Sequence, residues 1–276
     1  MSKRVDVLTY HSQNILGMAY ASNDHVALTQ DLLLLGELGI PVIRALDLAA
    51  ALQRGSFAGL PQRSVVITLD DGSVFDYEDI DHPRYGPQES MLSILRRRHK
   101  TVCGLRIGRA PFTATAFVIG SKEARDDIGL GFDSKDWMTD SWWSAAQRTP
   151  YLDIGCHSWE HGHPTPAFAA AQPELVGAFH GVCSLAEAER QVGQASRELR
   201  AVTKSDAARL FAYPFGHTND FLLREYLPRK DRVIAAFTTA GEPVIETTNR
   251  WIIPRFVCGD HWKSADQLRS LLTATP

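Results

Sequence analysis

Several residues that could carry out hydrolytic chemistry follow directly after short apolar runs that are typical of buried strands. The clearest run covers residues 64–69 and ends at two adjacent carboxylates, Asp70 and Asp71. In a barrel of parallel strands the carboxyl ends share one face, and that face carries the active site, so we expect these side chains to meet. The full set at predicted strand ends is His11, Asp70, Asp71, His157, Pro214, Phe215 and Arg255.

A metal site is predicted from Asp71, His157 and His161. The two histidines have the spacing H-x-x-x-H, which brings two imidazoles to one side of a helical turn. One carboxylate and two imidazoles suit a divalent cation and leave coordination positions open for water and substrate. Adjacent carboxylates at a buried strand end repel each other, and a cation beside Asp71 would relieve that cost while Asp70 stays free as a base.

Each of these features has a simpler interpretation when it is taken alone. An Asp-Asp-Gly sequence after a strand is typical of a turn, and histidines at this spacing also occur by chance. His11 alone is typical of a buried core histidine. His163 is an alternative ligand, although Gly162 and Pro164 favour a loop there. The metal hypothesis therefore depends on the whole set.

The elements that must position these residues alternate between strands and helices. Strands are predicted at 5–10, 40–46, 64–69, 113–119, 151–155, 209–213, 233–238 and 251–257. Helices are predicted at 28–38, 47–55 (with Asp47 as N-cap), 88–98, 185–202, 220–226 and 265–273. This alternation favours βαβ units and a parallel sheet. No Gly-x-Gly-x-x-Gly follows the first strand, so we predict a single α/β barrel domain over residues 1–276 rather than a dinucleotide-binding fold.

Composition and charge argue against several classes of protein. The apolar fraction of 44% and the charged fraction of 22% are typical of a globular protein. A formal net charge of −3 does not favour nucleic acid or an anionic membrane as a partner. No run is long enough for a signal peptide or a membrane span, which predicts a cytoplasmic location unless a leader has been removed. The four cysteines are widely spaced, which favours isolated thiols.

The stretch 121–150 is rich in Asp and Trp and shows no clear periodicity. We interpret it as an irregular loop whose tryptophans, Trp137, Trp142 and Trp143, pack onto the barrel. The alternative is a substrate rim, because aromatic faces stack on sugar rings.

Several motifs resemble those of the polysaccharide deacetylases, the NodB-homology family that is also called carbohydrate esterase family four. Thr-Leu-Asp-Asp-Gly at 68–72 resembles its Thr-Phe-Asp-Asp-Gly motif, and His-Ser-Trp-Glu-His at 157–161 matches His-Ser/Thr-x-x-His. Thr-Ala-Phe-Val at 115–118 and Tyr-Pro-Phe-Gly at 213–216 resemble two further motifs. Leu-Thr-Tyr-His-Ser at 8–12 is similar to the opening of a permuted subgroup that includes poly-N-acetylglucosamine deacetylases.

The resemblance spans residues 5–257 and implies a distorted (β/α) barrel with about seven parallel strands. It implies that Asp71, His157 and His161 hold one divalent metal, commonly zinc, with nickel, cobalt, iron or manganese also compatible. Asp70 would be the general base and His11 the general acid. A backbone amide of the segment Tyr213, Pro214 and Phe215, near Phe215, would help stabilise the oxyanion.

One position departs from the family pattern. Many members have an arginine two residues before the motif proline, and it orients the base aspartate. This chain has Ala212 there. We predict that Arg255 supplies the missing cation, because a Pro-Arg pair occurs near the end of the permuted subgroup.

We therefore predict a metal-dependent hydrolase that removes an N-acetyl group from an amino sugar or glycan. One alternative is a zinc peptidase, because 157–161 is also an H-x-x-E-H string in which Glu160 would be the base. The other is a non-catalytic barrel that binds carbohydrate through the tryptophans of 137–143. The insertions at 76–87 and 121–150 could close the site around a substrate smaller than a polymer.

Overall fold

A computed structural model describes residues 3–103, 111–131, 135–162, 176–229 and 231–274. Seven parallel strands form a curled sheet with the order β8-β7-β6-β5-β2-β1-β9, and β3 and β4 form a separate antiparallel hairpin. The strands are β1 (Arg4–Tyr10), β2 (Arg63–Leu69), β3 (Ile80–His82), β4 (Gly86–Gln88), β5 (Ala114–Val118), β6 (Leu152–Cys156), β7 (Leu210–Ala212), β8 (Ala235–Phe237) and β9 (Phe256–Val257). This confirms the predicted distorted barrel.

The segment that closes the barrel is irregular. Ile253 forms an isolated parallel bridge with Phe237 of β8, and β9 then pairs with β1. Pro254 lies between the two pairings and has no N–H to donate to a neighbouring strand. The predicted strand at 251–257 is therefore reduced to two residues, Phe256 and Val257.

The helices cover the sheet and close its amino end. They are α1 (Asp24–Leu38), α2 (Ala45–Arg54), α3 (Met91–Cys103), α4 (Lys122–Leu130), α5 (Trp143–Ala146) and α7 (Ala265–Thr273). Between the last two, Leu185–Ala188 and Ala195–Thr203 are joined by a π-helical segment, Glu189–Gln194, into one helix, α6. A further π-helix covers Phe221–Tyr226.

Side-chain alternation along the strands separates an inner and an outer core. Val5 and Val7 of β1 belong to an inner cluster with Phe117 of β5 and Leu48 of α2. The intervening Leu8 belongs to the larger outer cluster beneath α1, α3 and α6. Strand side chains alternate between the two faces of the sheet. The inward-facing positions are therefore apolar along the strands and polar at their carboxyl ends.

Two predicted elements are wrong. Residues 40–46 form no strand: Val42 makes only an isolated bridge with Val65, and Arg44 is already the N-cap of α2, so Asp47 lies in the first helical turn. The stretch 121–150 contains α4 and α5 and is not simply a loop. The interpretation of its tryptophans as packing residues is correct for Trp142 and Trp143, which are 1% and 4% exposed.

The described residues contain neither a disulfide nor a membrane-spanning helix. Cys156, Cys183 and Cys258 are free thiols. No described helix combines the length and the apolar composition needed to cross a bilayer.

Candidate metal centre

Strand register brings the predicted site residues to one edge of the sheet. Tyr10 of β1 is opposite Leu69 of β2, so His11 and Asp70 leave their strands side by side. Val118 of β5 is opposite Cys156 of β6, and His157 follows. The N–H of Asp70 still donates to the Tyr10 carbonyl at 3.0 Å, which extends the pairing of β1 and β2 into the site.

Asp71, His157 and His161 converge on one point. One ligand atom from each lies within 4.8 Å of the others, and the two Nε2 atoms are 3.1 Å apart. Asp71 Oδ1 lies 3.5 Å from His157 Nε2 and 3.4 Å from His161 Nε2. His157 Nδ1 is 2.9 Å from the Ala212 carbonyl, which fixes its proton at Nδ1 and turns the Nε2 lone pair inward. This donor set fits a divalent cation.

The ionisation states expected for these groups also suit a cation. Burial and the neighbouring His157 lower the pKa of His161 to about 3, so its imidazole is neutral. Burial by itself would raise the pKa of Asp71, but the surrounding imidazoles, first of all His157, hold it well below its usual range. An ionised carboxylate therefore faces an imidazole with a free lone pair.

Backbone strain is concentrated at the same place. Among the described residues, the non-glycine residues with positive φ are Asp71, Ser158, His161, Phe215 and Lys204. The first four lie in or beside the candidate centre, whereas Lys204 caps α6. Left-handed backbone costs non-glycine residues free energy and persists where surrounding structure imposes it, often at functional sites.

Asp70 stands beside the metal set and has a different partner. Arg255 Nη1 and Nη2 donate to its two carboxylate oxygens at 2.7 and 2.8 Å. Burial alone would raise the pKa of Asp70, but the charge of Arg255, aided by His157, lowers it below its usual range. Arg255 is fully buried, donates from Nε to the Thr238 carbonyl and lies over the Phe117 ring. Arg255 thus lies where the missing family arginine was expected to act.

His11 lines the same cavity as Asp70, Asp71, His157 and His161. Its backbone N–H donates to Asp24 Oδ2 at 2.7 Å. Its Nδ1 is buried and hydrogen bonds to no other described residue. The imidazole therefore borders the same cavity as the metal set.

The motif at 213–216 contributes only part of what was predicted. The Tyr213 hydroxyl donates to the Trp251 carbonyl at 3.0 Å and its N–H donates to the Phe237 carbonyl at 3.0 Å, so Tyr213 points into the outer core and not into the cavity. Pro214 is buried and has no N–H to offer. Phe215 does line the cavity, with its ring 4.7 Å from that of His161, and its N–H bonds to no other described residue.

Sequence reasoning missed two residues that support the centre. The Gln13 side-chain amide donates to Asp71 Oδ2, which leaves Oδ1 facing the two histidines. Asp24 holds the backbone of His11 because α1 begins four residues earlier than its apolar pattern predicts, with Asn23 as the N-cap. Asn23 followed by Asp24, a typical N-cap and first-turn pair, was the available signal for that earlier start.

The alternative assignments lose support in this geometry. Glu160 is buried away from the metal set, where it accepts hydrogen bonds from Arg190 and from Gln191, and the turn at 157–162 is not helical. The burial of Trp142 and Trp143 removes them as an exposed carbohydrate platform. His163 lies outside the described residues.

Comparison with known proteins gives matches in structure only. No family model matches the chain, and no curated protein matches it. The Streptococcus pyogenes deacetylase PplD, solved in complex with acetate, is 15% identical, with a TM-score of 0.64 over 99% of this chain and 100% of that one. A de-N-acetylase from Aggregatibacter actinomycetemcomitans is 14% identical, with a TM-score of 0.63 over 98% of this chain and 100% of that one. IcaB from Ammonifex degensii is 18% identical, with a TM-score of 0.60 over 99% of each chain. The resemblance to polysaccharide deacetylases is therefore confirmed at the level of the fold.

Proposed function

We propose that the chain is a metal-dependent hydrolase that removes the N-acetyl group from an amino sugar of a polysaccharide. One observation carries the proposal: Asp71, His157 and His161 converge beside Asp70, a carboxylate that is paired with Arg255 and is not part of the metal set. The fold shared with a deacetylase solved with acetate and with a de-N-acetylase supports this class of reaction.

A divalent cation held by Asp71, His157 and His161, zinc by the chemistry of the donors, would polarise the acetyl carbonyl and lower the pKa of a water. Asp70 accepts the proton of the attacking water. Its low pKa keeps it ionised, and its two bonds to Arg255 fix its orientation. Each carboxylate oxygen has two lone pairs, so pairing with Arg255 leaves Asp70 able to accept that proton.

Two further groups act on the charges that develop during the reaction. The N–H of Phe215 donates to the carbonyl oxygen as it becomes negative, a contact worth roughly 2.7–4 kcal/mol where one has been removed in other enzymes. His11 donates a proton to the departing amine, which is a poor leaving group until it is protonated.

The test separates the base from the metal ligand. Asp70→Asn should lower deacetylation of an N-acetylglucosamine oligomer by about 10²–10⁴-fold, since a positioned base contributes that much, and should retain one metal ion per chain. Asp71→Ala should lose both activity and metal. Amine release and elemental analysis of the purified protein measure the two properties.

Asp153→Asn is the matched control, because Asp153 is also a buried aspartate paired with an arginine, Arg44, but lies at the start of β6 and outside the cavity. It should keep both metal and turnover. Wild-type turnover by Asp70→Asn, or full activity of metal-free protein, would overturn the proposal.

A further inference from the structure

The cavity of the candidate metal centre shares lining residues with two larger cavities. The central cavity has a volume of about 330 Å³. A cavity of about 620 Å³, here called the β8-side cavity, shares Gly216 and Thr239 with it. A cavity of about 440 Å³, the β1-side cavity, shares His11, Asp71 and Asp260 with it. Ligand pockets usually measure roughly 300–1,000 Å³, so the central cavity suits one sugar unit and leaves space for further units on both sides.

The β8-side cavity has a lining that suits a sugar ring. Hydroxyl and amide groups from Thr218, Thr248 and Asn249 can pair with ring hydroxyls. Ile245 and Ile252, which are 43% and 37% exposed, offer apolar surface for the face of the ring. A neutral, polyhydroxylated chain is therefore compatible with this side of the centre.

Among the described residues, the charged side chains that line the two outer cavities are all acidic, if histidine is set aside. Glu242 lines the β8-side cavity, and Asp24, Asp71 and Asp260 line the β1-side cavity; no described lysine or arginine lines either. Asp71 belongs to the metal set, and Asp24 is buried and bonded to the His11 backbone. Glu242 and Asp260 remain, and both are exposed. Glu242 lines the β8-side cavity, and Asp260 lies where the β1-side and central cavities share their lining.

We propose that this chain prefers a glycan in which the sugars flanking the N-acetylated unit already carry free, protonated amines, with Glu242 facing one amine and Asp260 the other. The inference rests on the proposed deacetylation at the central site. Ammonium groups would be attracted to these carboxylates, whereas the carboxylates of an anionic glycan would be repelled. The attraction between exposed charges is screened by salt.

The experiment compares two pentamers of N-acetylglucosamine. One is fully N-acetylated, and the other has free amines on the units that flank a single central N-acetyl group. At low salt, kcat/KM per central N-acetyl group should be higher for the amine-bearing pentamer, by up to about fivefold for each exposed contact. The preference should diminish in high salt.

Substitutions assign the preference to the two carboxylates. Glu242→Gln and Asp260→Asn should each reduce it, and the double variant should abolish it, measured as the ratio of kcat/KM for the two pentamers. Glu242→Gln, which lies outside the central cavity, should leave turnover of the fully acetylated pentamer within twofold of wild type. Glu123→Gln, on the exposed first turn of α4 and outside the three cavities, is the matched control and should keep the full preference.

A small neutral acetyl ester distinguishes the failure of this inference from the failure of the proposed function. Equal kcat/KM for the two pentamers, an unchanged preference in the double variant, or hydrolysis of the ester but of neither pentamer would overturn the inference. Absence of metal-dependent hydrolysis of the ester and of both pentamers would instead overturn the proposed function.

Discussion

Asp70 and Asp31 are both buried carboxylates, but their partners are of different chemical kinds. Asp70 is paired with the Arg255 guanidinium at 2.7 and 2.8 Å. Among the described residues, Asp31, in α1, accepts hydrogen bonds only from neutral donors. These are the Tyr10 hydroxyl at 2.8 Å and the Tyr20 hydroxyl at 2.5 Å, with a longer contact from Trp262 Nε1 at 3.3 Å.

The pKa values of the two carboxyl groups move in opposite directions. Burial acts to raise both, but at Asp70 the charge and hydrogen bonds of Arg255, together with the neighbouring His157, outweigh burial and lower its pKa. At Asp31 the neutral donors offset burial only in part, and its pKa is raised to about 6. The partner, not the depth of burial, therefore decides in which direction each pKa moves, and of the two carboxylates only Asp70 faces the cavity of the metal centre.

Removing the positively charged guanidinium of Arg255 gives the largest expected effect. Arg255→Met leaves Asp70 buried without a charged partner, which should lower the free energy of unfolding at neutral pH by about 3–5 kcal/mol. The low pKa of Asp70 stabilises the fold above the unfolded pKa and is lost as pH falls, so the defect should shrink in acid. The pKa of Asp70 should rise, and the acid limb of the pH–rate profile should move to higher pH. Denaturation at several pH values and a pH–rate profile measure these changes.

Arg4→Met is the matched control, because Arg4 forms another buried pair, with Asp6 at 2.9 Å, at the amino end of β1. It should destabilise the fold but leave the pH–rate profile in place. An Arg255→Met enzyme with the wild-type acid limb would show that Arg255 does not set the ionisation of Asp70.

The difference between the two regions also explains how far the sequence could predict them. Asp70, Asp71, His157 and His161 lie in short motifs directly after strands, so local pattern and the family resemblance were enough to propose the set. The pairing of Asp70 with Arg255, 185 residues apart, was predicted from the family resemblance, because a Pro-Arg pair occurs near the end of the permuted subgroup. Its geometry could be seen only in the fold.

The Asp31 cluster could not be predicted in this way. Asp31 is a polar residue within an apolar helical pattern, and Trp262 is 231 residues away in sequence. No motif or period connects them, because the contact depends on how the segment before α7 packs against α1. The same dependence on packing explains the missed contact of Gln13 with Asp71. The start of α1 at Asp24 is different, because Asn23 signals it locally as an N-cap.

Replacing Asp31 with a residue that cannot ionise should increase the contrast between Asp31 and Asp70. An aspartate whose pKa rises from 3.8 to about 6 on folding destabilises the fold as pH rises through that window, because the folded form binds the proton more tightly. At a pH above both pKa values, this shift lowers the free energy of unfolding by about 3 kcal/mol. Asp31→Asn should therefore flatten the decline in unfolding free energy between pH 4 and pH 6, with turnover within twofold of wild type.

Asp24 also has a pKa raised to about 6, so it accounts for the part of the decline that remains in Asp31→Asn. Thermal or urea denaturation at intervals of half a pH unit measures the slope. A variant with the wild-type slope would show that the pKa of Asp31 in the folded protein does not differ from that of a solvated aspartate. A large loss of turnover would contradict the separation of the two regions.

Removing a single neutral donor should give the smallest effect. Tyr20→Phe deletes a hydroxyl that donates to Asp31 Oδ1 and accepts from Trp262 Nε1 at 2.8 Å. Because this donor favours the ionised form, the pKa of Asp31 should rise further, and the loss of unfolding free energy should be greater at pH 7 than at pH 4. A net hydrogen bond to a charged group is worth about 1.5–3 kcal/mol and a neutral one about 0.5–1.5 kcal/mol.

Tyr213→Phe removes a buried hydroxyl bound to a backbone carbonyl, which does not titrate, so its cost should be the same at both pH values. If Tyr20→Phe also proves independent of pH, the neutral donors do not control the charge of Asp31, and the comparison with Asp70 loses its physical basis.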